Sequence, residues 1–144
     1  MRLSAGASSP DADVMKATIL VVDDSASLRS VVRLMLERAG YRVAEAIDGR
    51  DALRKVADLR PALVLCDVNM PGLDGLGLVR QIKSQPAYRA IPVLMLTTST
   101  DKAQKAEAAV AGAQAWITKP VQPEVLLGAV ARLMPQATTE QENA

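Results

Sequence analysis

The sequence predicts an α/β protein in which five strands alternate with five helices and form one parallel sheet covered by helices on both faces. Short apolar runs recur along the chain, and the segments between them have helical periodicity. Four of the five runs are nearly continuous rather than alternating, which is typical of strands buried on both sides. Because crossovers between parallel strands are right-handed, the helices must pack back onto the sheet.

Five apolar, partly β-branched runs are the predicted strands. In chain order they are TILVVD at 18–23, YRVAEA at 41–46, ALVLCD at 62–67, PVLMLTT at 92–98 and AWIT at 115–118.

The first two helices are predicted from apolar residues spaced as on one helical face. The first begins near Ser25 and ends at Gly40, and the second begins near Asp48. The inward-facing residues expected are Leu28, Val31, Val32, Met35, Leu36 and Ala39 in the first helix, and Ala52, Leu53 and Val56 in the second.

The last three helices have clear starting signals. Asp74 is the predicted N-cap of the third helix, which ends before Pro86. Asp101 is the predicted N-cap of the fourth helix, which runs to Gly112. Pro123 suits the first turn of the fifth. The inward-facing residues expected are Leu78, Val79 and Ile82 in the third helix, and Leu126, Val130 and Leu133 in the fifth.

Composition limits the classes of function. The chain has 144 residues, 49% of them hydrophobic, which suits one domain with a full core. A formal charge of +1 argues against binding nucleic acid or anionic membranes, and no run approaches the roughly 20 apolar residues of a membrane span. The single cysteine, Cys66, is expected to be a small buried hydrophobe and fits a reducing, cytoplasmic compartment. Without histidine, any chemistry must use carboxylates, hydroxyls and lysine.

Both ends of the chain are polar. We expect residues 1–16 to form a disordered extension, residues 17–134 the folded domain and residues 135–144 a flexible tail. The opening segment lacks the apolar core of a signal peptide, and Met15 offers an alternative start.

Polar residues stand at the predicted carboxyl ends of four strands. These residues are Asp23, Asp24, Asp67, Thr97 and Lys119. Because parallel strands end at one edge of the sheet, where such proteins bind ligands, we expect these side chains to converge. Buried carboxylates that repel each other need a cation, and this set suits Mg²⁺ better than Ca²⁺, which takes more ligands. A simpler alternative is that one of the first two aspartates only caps the first helix.

The same residues suit phosphoryl transfer. Asp67 can act as a nucleophile when a metal and Lys119 neutralise the incoming group. Thr97 can donate a hydrogen bond to it, and the small Thr98 leaves the approach open. The turn after Asn69 places a backbone carbonyl where it can bind the metal. Strand packing for Thr97 and a surface position for Lys119 are the alternatives.

Four motifs, in this order, resemble the receiver domain of two-component response regulators over about residues 18–134. They are DD at 23–24, the run DVNMPGLDG at 67–75, TT at 97–98 and KP at 119–120. The resemblance implies a flavodoxin-like fold with strand order 2-1-3-4-5, and Mg²⁺-dependent transfer of a phosphoryl group from a histidine kinase to Asp67.

The resemblance also implies a role for each site residue. Asp24 binds Mg²⁺ directly, Asp23 through water and Asn69 through its carbonyl. Lys119 contacts the phosphoryl group, Thr97 moves to bond it, and the peptide between Lys119 and Pro120 is cis.

Output is expected from a protein partner, because no output domain follows the fifth helix. In the family this partner binds the fourth helix, fifth strand and fifth helix. The residues expected on that face are Lys102, Lys105, Trp116, Val125 and Ala129, and Thr98 is expected to take part in the switch. Trp116 stands where the family has a tyrosine or phenylalanine that turns inward after phosphorylation. The alternatives are a solvated helix face for the lysines and an ordinary strand aromatic for Trp116.

A looser resemblance favours the stand-alone, CheY-like regulators of chemotaxis. It rests on DDSASLR at 23–29, the long run from Asn69 to Thr100, and AGAQAWITKPVQPEVLL at 111–127. Ser99 and Val121 depart from the glutamate and phenylalanine common in that subgroup. We expect a monomer that receives phosphate from a chemotaxis histidine kinase and binds a flagellar motor switch protein. A phosphate sink or a phosphorelay intermediate is the alternative.

An enzyme is the alternative of a different class. Haloacid-dehalogenase-like phosphatases also use an aspartate nucleophile at a strand end with Mg²⁺, but they need an acidic residue two positions later. Asn69 occupies that position and cannot donate a proton as an acid would. We therefore expect a signalling protein and not an enzyme.

Overall fold

A computed structural model of the chain describes residues 18–98 and 102–134, and it contains the predicted alternation of strands and helices. The strands are β1 (Thr18–Val22), β2 (Arg42–Ala46), β3 (Leu63–Asp67), β4 (Val93–Thr97) and β5 (Ala115–Thr118). The helices are α1 (Ala26–Arg38), α2 (Gly49–Leu59), α3 (Gly75–Ser84), α4 (Lys102–Ala111) and α5 (Pro123–Leu133).

The strands form one parallel sheet in the order β2-β1-β3-β4-β5, which confirms the predicted order. The central strand β3 pairs with β1 through Cys66 opposite Val22, and with β4 through Asp67 opposite Leu96. Strand order reverses between β1 and β3. The residues that follow these two strands therefore lie at the switch point, where doubly wound sheets bind ligands.

Two hydrophobic cores, one on each face of the sheet, confirm that helices cover both sides. Alternate residues of each strand enter opposite cores, as Leu20 and Ile19 of β1 do. One core packs against α2, α3 and α4, and the other against α1 and α5. Cys66 is fully buried in the first core, and this burial raises the pKa of its thiol. It is the packed hydrophobe that the sequence predicted.

Side-chain caps begin three helices where the sequence predicted. Ser25 Oγ accepts from the Leu28 N–H at 3.3 Å, Asp48 Oδ1 from Asp51 at 2.8 Å, and Asp74 Oδ1 from Gly77 at 2.8 Å. The predicted Asp101 cap, Ser99, the proposed N-terminal extension and the C-terminal tail lie outside the described residues.

The apolar stripe of α1 is narrower than predicted. Val32 and Leu36 are fully buried and Met35 is partly buried, but Val31 is 48% exposed and Ala39 is exposed. Successive helical residues are separated by about 100° around the axis, and on α1 this turn places Val31 outside the buried face that Val32 and Leu36 define.

A close backbone approach makes glycine necessary at position 75. A Cβ there would overlap the main-chain oxygen of Asp67 and lie 2.7 Å from the Val68 Cα. The Gly75 N–H also donates to the Val68 oxygen at 3.0 Å, which closes the turn after the site strand. Neither obstacle is a flexible side chain, so relief requires the backbone to move.

We expect Gly75→Ala to lower the free energy of unfolding by about 1–3 kcal/mol, because the added methyl group displaces backbone. Gly128→Ala is the matched control, since a Cβ there has no neighbour within 4 Å inside α5. That change should raise stability by about 0.5–1 kcal/mol through helix propensity. Urea unfolding measures both. Equal stability of Gly75→Ala and wild type would show that Gly75 does not pack tightly against the main chain of Asp67 and Val68.

Candidate functional site

Three carboxylates meet at the carboxyl edge of the sheet. One oxygen from each of Asp23, Asp24 and Asp67 lies within 4.8 Å of the other two. Asp67 ends β3, and Asp23 directly follows the neighbouring strand β1. Asp23 and Asp67 are buried, whereas Asp24 is exposed. The structure thus brings together the three aspartates that the sequence singled out.

One carboxylate oxygen of Asp23 has no hydrogen-bond partner. Asp23 Oδ1 accepts from the Ser25 N–H at 2.8 Å, but the buried Oδ2 accepts from no donor in the described part of the chain. Its nearest cation is Lys119 Nζ at 3.9 Å, beyond hydrogen-bond range. Burial, followed by the charges of Asp67 and Asp24, raises the pKa of Asp23. A buried oxygen in this state favours a cation bound beside it.

These residues fit a hard divalent cation. Carboxylate oxygens are the ligands that Mg²⁺ prefers, and Mg²⁺ needs only a few of them because it retains water. Asn69 lies two residues beyond Asp67 and is exposed. The side-chain capping role considered for Asp23 is absent, because Ser25 caps α1. Asp23 instead accepts from the Ser25 N–H just before the helix.

Lys119 bridges the acidic cluster. Its Nζ donates to Asp67 Oδ1 at 3.0 Å, and its side chain is only 19% exposed. It is therefore not an ordinary surface lysine. The Lys119 N–H donates to the Thr97 main-chain oxygen at 2.7 Å, and the peptide to Pro120 is cis, as predicted.

Thr97 ends β4, and Thr98 follows it at the same edge of the sheet. Thr97 is fully buried and pairs in register with Thr118, directly before Lys119, while Thr98 is exposed. Strand β4 also borders β3, and the Val68 N–H donates to the Leu96 oxygen at 2.9 Å. The main chains that hold Thr97, Asp67 and Lys119 are thus joined by direct hydrogen bonds.

Arg29 is a contact of this site that sequence reasoning did not assign. Its Nη1 donates to the Asp23 main-chain oxygen at 2.8 Å, and its Nε donates to Glu45 Oε1 at 2.9 Å. Arg29 ends the stretch DDSASLR, so its nearness to the aspartates in sequence was a signal. Its partner Glu45 is on β2, and only the fold brings the two together.

The predicted partner face is exposed in part. Lys102 and Lys105 are exposed, and Val125 is 52% exposed. Trp116 is half-buried, and Lys105 Nζ lies 5.8 Å from its ring centre, within cation–π range. The prediction for Ala129 was wrong. It is 4% exposed and belongs to the core between α5 and the sheet, because it lies three residues after Leu126 on the buried side of the helix.

Between residues 18 and 134, leaving aside 99–101, no helix is both long and apolar enough to cross a bilayer.

A scan against family models matches residues 19–131 to the response regulator receiver domain. Protein PilG of Pseudomonas aeruginosa is 38% identical over 120 residues, covering 83% of this chain and 89% of PilG. Chemotaxis protein CheY1 of Helicobacter pylori is 39% identical over 110 residues, covering 75% of this chain and 89% of CheY1. Other relatives are longer. The transcriptional regulatory protein ResD of Bacillus subtilis is 39% identical over 127 residues, which are 88% of this chain but 52% of ResD.

Solved structures give the same result. Chemotaxis protein CheY4 of Vibrio cholerae superimposes with a TM-score of 0.78 at 43% identity, covering 81% of this chain and 98% of CheY4. A CheY-like receiver domain protein from Methanospirillum hungatei has a TM-score of 0.78 at 27% identity, covering 86% and 98% of the two chains.

We expect Asp23→Asn to stabilise the metal-free protein on the order of 1 kcal/mol at pH 7, because it removes a buried like charge but keeps an acceptor for Ser25. A raised pKa means that the folded state binds the Asp23 proton more tightly than the unfolded chain. The difference in unfolding free energy between variant and wild type should therefore be absent below the ordinary pKa of an aspartate. It should grow as pH rises from there to the raised pKa of Asp23 and stay constant above it.

Urea unfolding in chelator at acidic and neutral pH measures this difference. The control is Asp58→Asn, which changes an exposed carboxylate on α2. A variant no more stable than wild type at pH 7 would contradict the account of the buried repulsion.

Proposed function

Because this chain belongs to the response regulator receiver domain family, we propose that it is a phosphorylation-controlled signalling switch with Asp67 as its phosphate acceptor. The observation that supports this best is the setting of Asp67. It ends a central strand among three clustered carboxylates, and one of its oxygens accepts from Lys119 at 3.0 Å. The buried strand fixes the carboxylate, and the lysine lies where it can neutralise an incoming anion.

In the proposed reaction, an Asp67 carboxylate oxygen attacks the phosphorus of a phosphohistidine. An acyl phosphate bond forms, the P–N bond breaks, and its electron pair returns to the histidine nitrogen of the kinase. Since the chain has no histidine, the donor must be another protein or a small phosphodonor. Asp67 Oδ2 is the oxygen that Lys119 does not hold, and we assign the attack to it.

Mg²⁺ would be held by Asp23, Asp24, Asp67 and the main-chain oxygen of Asn69. When bound, it supplies positive charge that offsets the carboxylates and the transferring phosphoryl group. The unpartnered Asp23 Oδ2 supports its place among these residues.

Lys119 and Thr97 would bind the transferred group. Lys119 is a compact cation already within hydrogen-bond distance of Asp67. Its donors can transfer from the carboxylate to a phosphoryl oxygen without leaving the site. Thr97, at the end of the adjacent strand, would donate its hydroxyl to another phosphoryl oxygen, while the exposed Thr98 leaves the approach open.

The signal would pass to a protein partner in a chemotaxis pathway. The similarity to CheY1 and CheY4, named as chemotaxis proteins, supports this assignment. We propose a cytoplasmic monomer that a chemotaxis histidine kinase phosphorylates and that binds a target such as a flagellar motor switch protein. The face with Lys102, Lys105, Trp116 and Val125 would contact the target, and residues 17–134 would form the receiver domain.

Two alternatives remain distinct from this proposal. A phosphate sink would accept the phosphoryl group in the same way without binding a motor component. A phosphatase would need an acid near the leaving group. In the described part of the chain, Asn69 stands where that acid belongs, and the three clustered carboxylates are the ones that would hold the proposed cation.

Incubation of the wild type with Mg²⁺ and a small phosphodonor should add one phosphoryl group, because Asp67 is the nucleophile. Asp67→Ala should add none, and Asp58→Asn should behave as wild type. Intact mass spectrometry measures the product. Equal phosphorylation of Asp67→Ala would overturn the assignment, and steady turnover of a phosphate ester would favour the phosphatase.

We expect the phosphorylated protein to bind a flagellar motor switch component at least about tenfold more tightly than the unphosphorylated protein, a typical coupling of two sites. Lys105→Glu should weaken that binding, because it reverses a charge on the proposed face. Arg50→Glu, at an exposed basic residue of α2, is the control. Calorimetric titration measures the affinities, and absence of binding at high micromolar concentration would favour the phosphate sink.

A further inference from the structure

We propose that Arg29 is a positioning residue for the cation site, holding the peptide between Asp23 and Asp24 so that both carboxylates face Asp67. The inference rests on the proposed function, because it assumes that the aspartates bind Mg²⁺. Arg29 does not touch the cation or the phosphoryl group. It acts on the main chain from which two ligands extend.

The contact of Arg29 is with one particular peptide. Its Nη1 donates to the Asp23 main-chain oxygen at 2.8 Å, and that oxygen belongs to the peptide bond joining Asp23 to Asp24. A peptide unit is planar, so fixing its oxygen fixes the direction in which the Asp24 Cα leaves the plane. On the other side, the Asp23 N–H donates to the Ala46 oxygen at 3.2 Å. The segment is therefore held at both ends.

Glu45 holds Arg29 in turn. Glu45 Oε1 accepts from Arg29 Nε at 2.9 Å, and Glu45 Oε2 accepts from Arg33 Nη1 at 2.6 Å. The Arg29 and Glu45 side chains are only 13% and 26% exposed, so solvent screens their pairing weakly. A planar guanidinium presents donors in fixed directions, and Arg29 uses two of them for a carboxylate and a carbonyl at once.

The charge of this arrangement suits a cation site. An unpaired arginine beside the aspartates would repel Mg²⁺, but the Glu45 carboxylate balances the Arg29 charge. Hydrogen bonds from Arg29 first, and then from Arg33, lower the pKa of Glu45, so the balancing charge persists at neutral pH. Arg29 thus donates a hydrogen bond to the Asp23 carbonyl, while its positive charge is largely balanced at the cation site.

Asp24 is the ligand that most needs this support. It is exposed, and repulsion from the Asp23 and Asp67 carboxylates favours its turning towards water. The held peptide limits that movement before the cation arrives. Groups that orient metal ligands typically contribute about 10- to 100-fold in metal affinity.

The test compares the Mg²⁺ dissociation constants of Arg29→Gln and Arg33→Gln. Both changes remove an arginine of α1 that pairs with Glu45, but only Arg29 reaches the Asp23 carbonyl. We expect Arg29→Gln to weaken Mg²⁺ binding about tenfold and Arg33→Gln to change it by less than about twofold. Arg29→Lys keeps the positive charge but lacks the planar guanidinium with its several donors. Its Mg²⁺ affinity should therefore lie between those of the wild type and Arg29→Gln.

Backbone amide NMR titration with Mg²⁺ gives each affinity and shows whether each variant is folded. Arg29→Gln should also shift the metal-free amide signals of Asp24 and Ser25, and Arg33→Gln should not. If Arg29→Gln unfolds, Glu45→Gln replaces it, since Glu45 fixes the guanidinium. That variant should also bind Mg²⁺ more weakly than Arg33→Gln does.

Two results separate this inference from the proposed function. Wild-type protein that binds no Mg²⁺, or binds it as well after Asp24→Asn, would overturn both. Two other results would overturn only the positioning role, provided that the wild type binds Mg²⁺. One is an unchanged Mg²⁺ affinity in Arg29→Gln. The other is a Mg²⁺ affinity in Arg33→Gln that is weakened as much as in Arg29→Gln.

Discussion

Electrostatic imbalance at the carboxyl edge of the sheet is the constraint on which the rest of the site depends. Asp23, Asp24 and Asp67 place three carboxylates within one small cluster, and Lys119 is the cation paired with two of them. In a buried setting, each uncompensated charge is far more costly than at the surface. With Lys119 as their counter-charge, the three carboxylates leave a net negative charge that a bound divalent cation would offset.

The fold supplies the rigidity that this imbalance requires. Asp67 could escape repulsion if its strand moved, but β3 pairs with β1 on one side and β4 on the other. Behind it, the main chain of Gly75 packs so closely that no side chain fits. Apolar cores on both faces keep the central strands in place. The energy of hydrophobic packing thus holds together charges that would separate in a flexible chain.

The strands, the helix starts and the acidic cluster could be predicted from the sequence, because their signals are local. Continuous apolar runs indicate the strands, Ser25, Asp48 and Asp74 mark helix starts, and the strand-end aspartates indicate the site. Features that depend on distant contacts could not be predicted. The partner of Arg29, Glu45, is on strand β2, and the burial of Ala129 depends on how α5 packs against the sheet. Periodicity identifies an apolar face but not which of two adjacent residues lies at its centre, as Val31 and Val32 show.

The path from the acidic cluster to the proposed partner face is short and runs through the main chain. The Lys119 N–H donates to the Thr97 oxygen, and Trp116 lies three residues before Lys119 on the same edge strand, in register with Met95 of β4. A movement of β4 or Lys119 towards a bound phosphoryl group would therefore act directly on the strand that holds the indole. The Trp116 Nε1 is buried without an acceptor among the described residues, and Lys105 contacts the ring face. A buried donor without an acceptor carries a free-energy cost that a new acceptor would remove. Under the proposed function, the strand that leads into Lys119 would thus also transmit a displacement of that lysine to the surface.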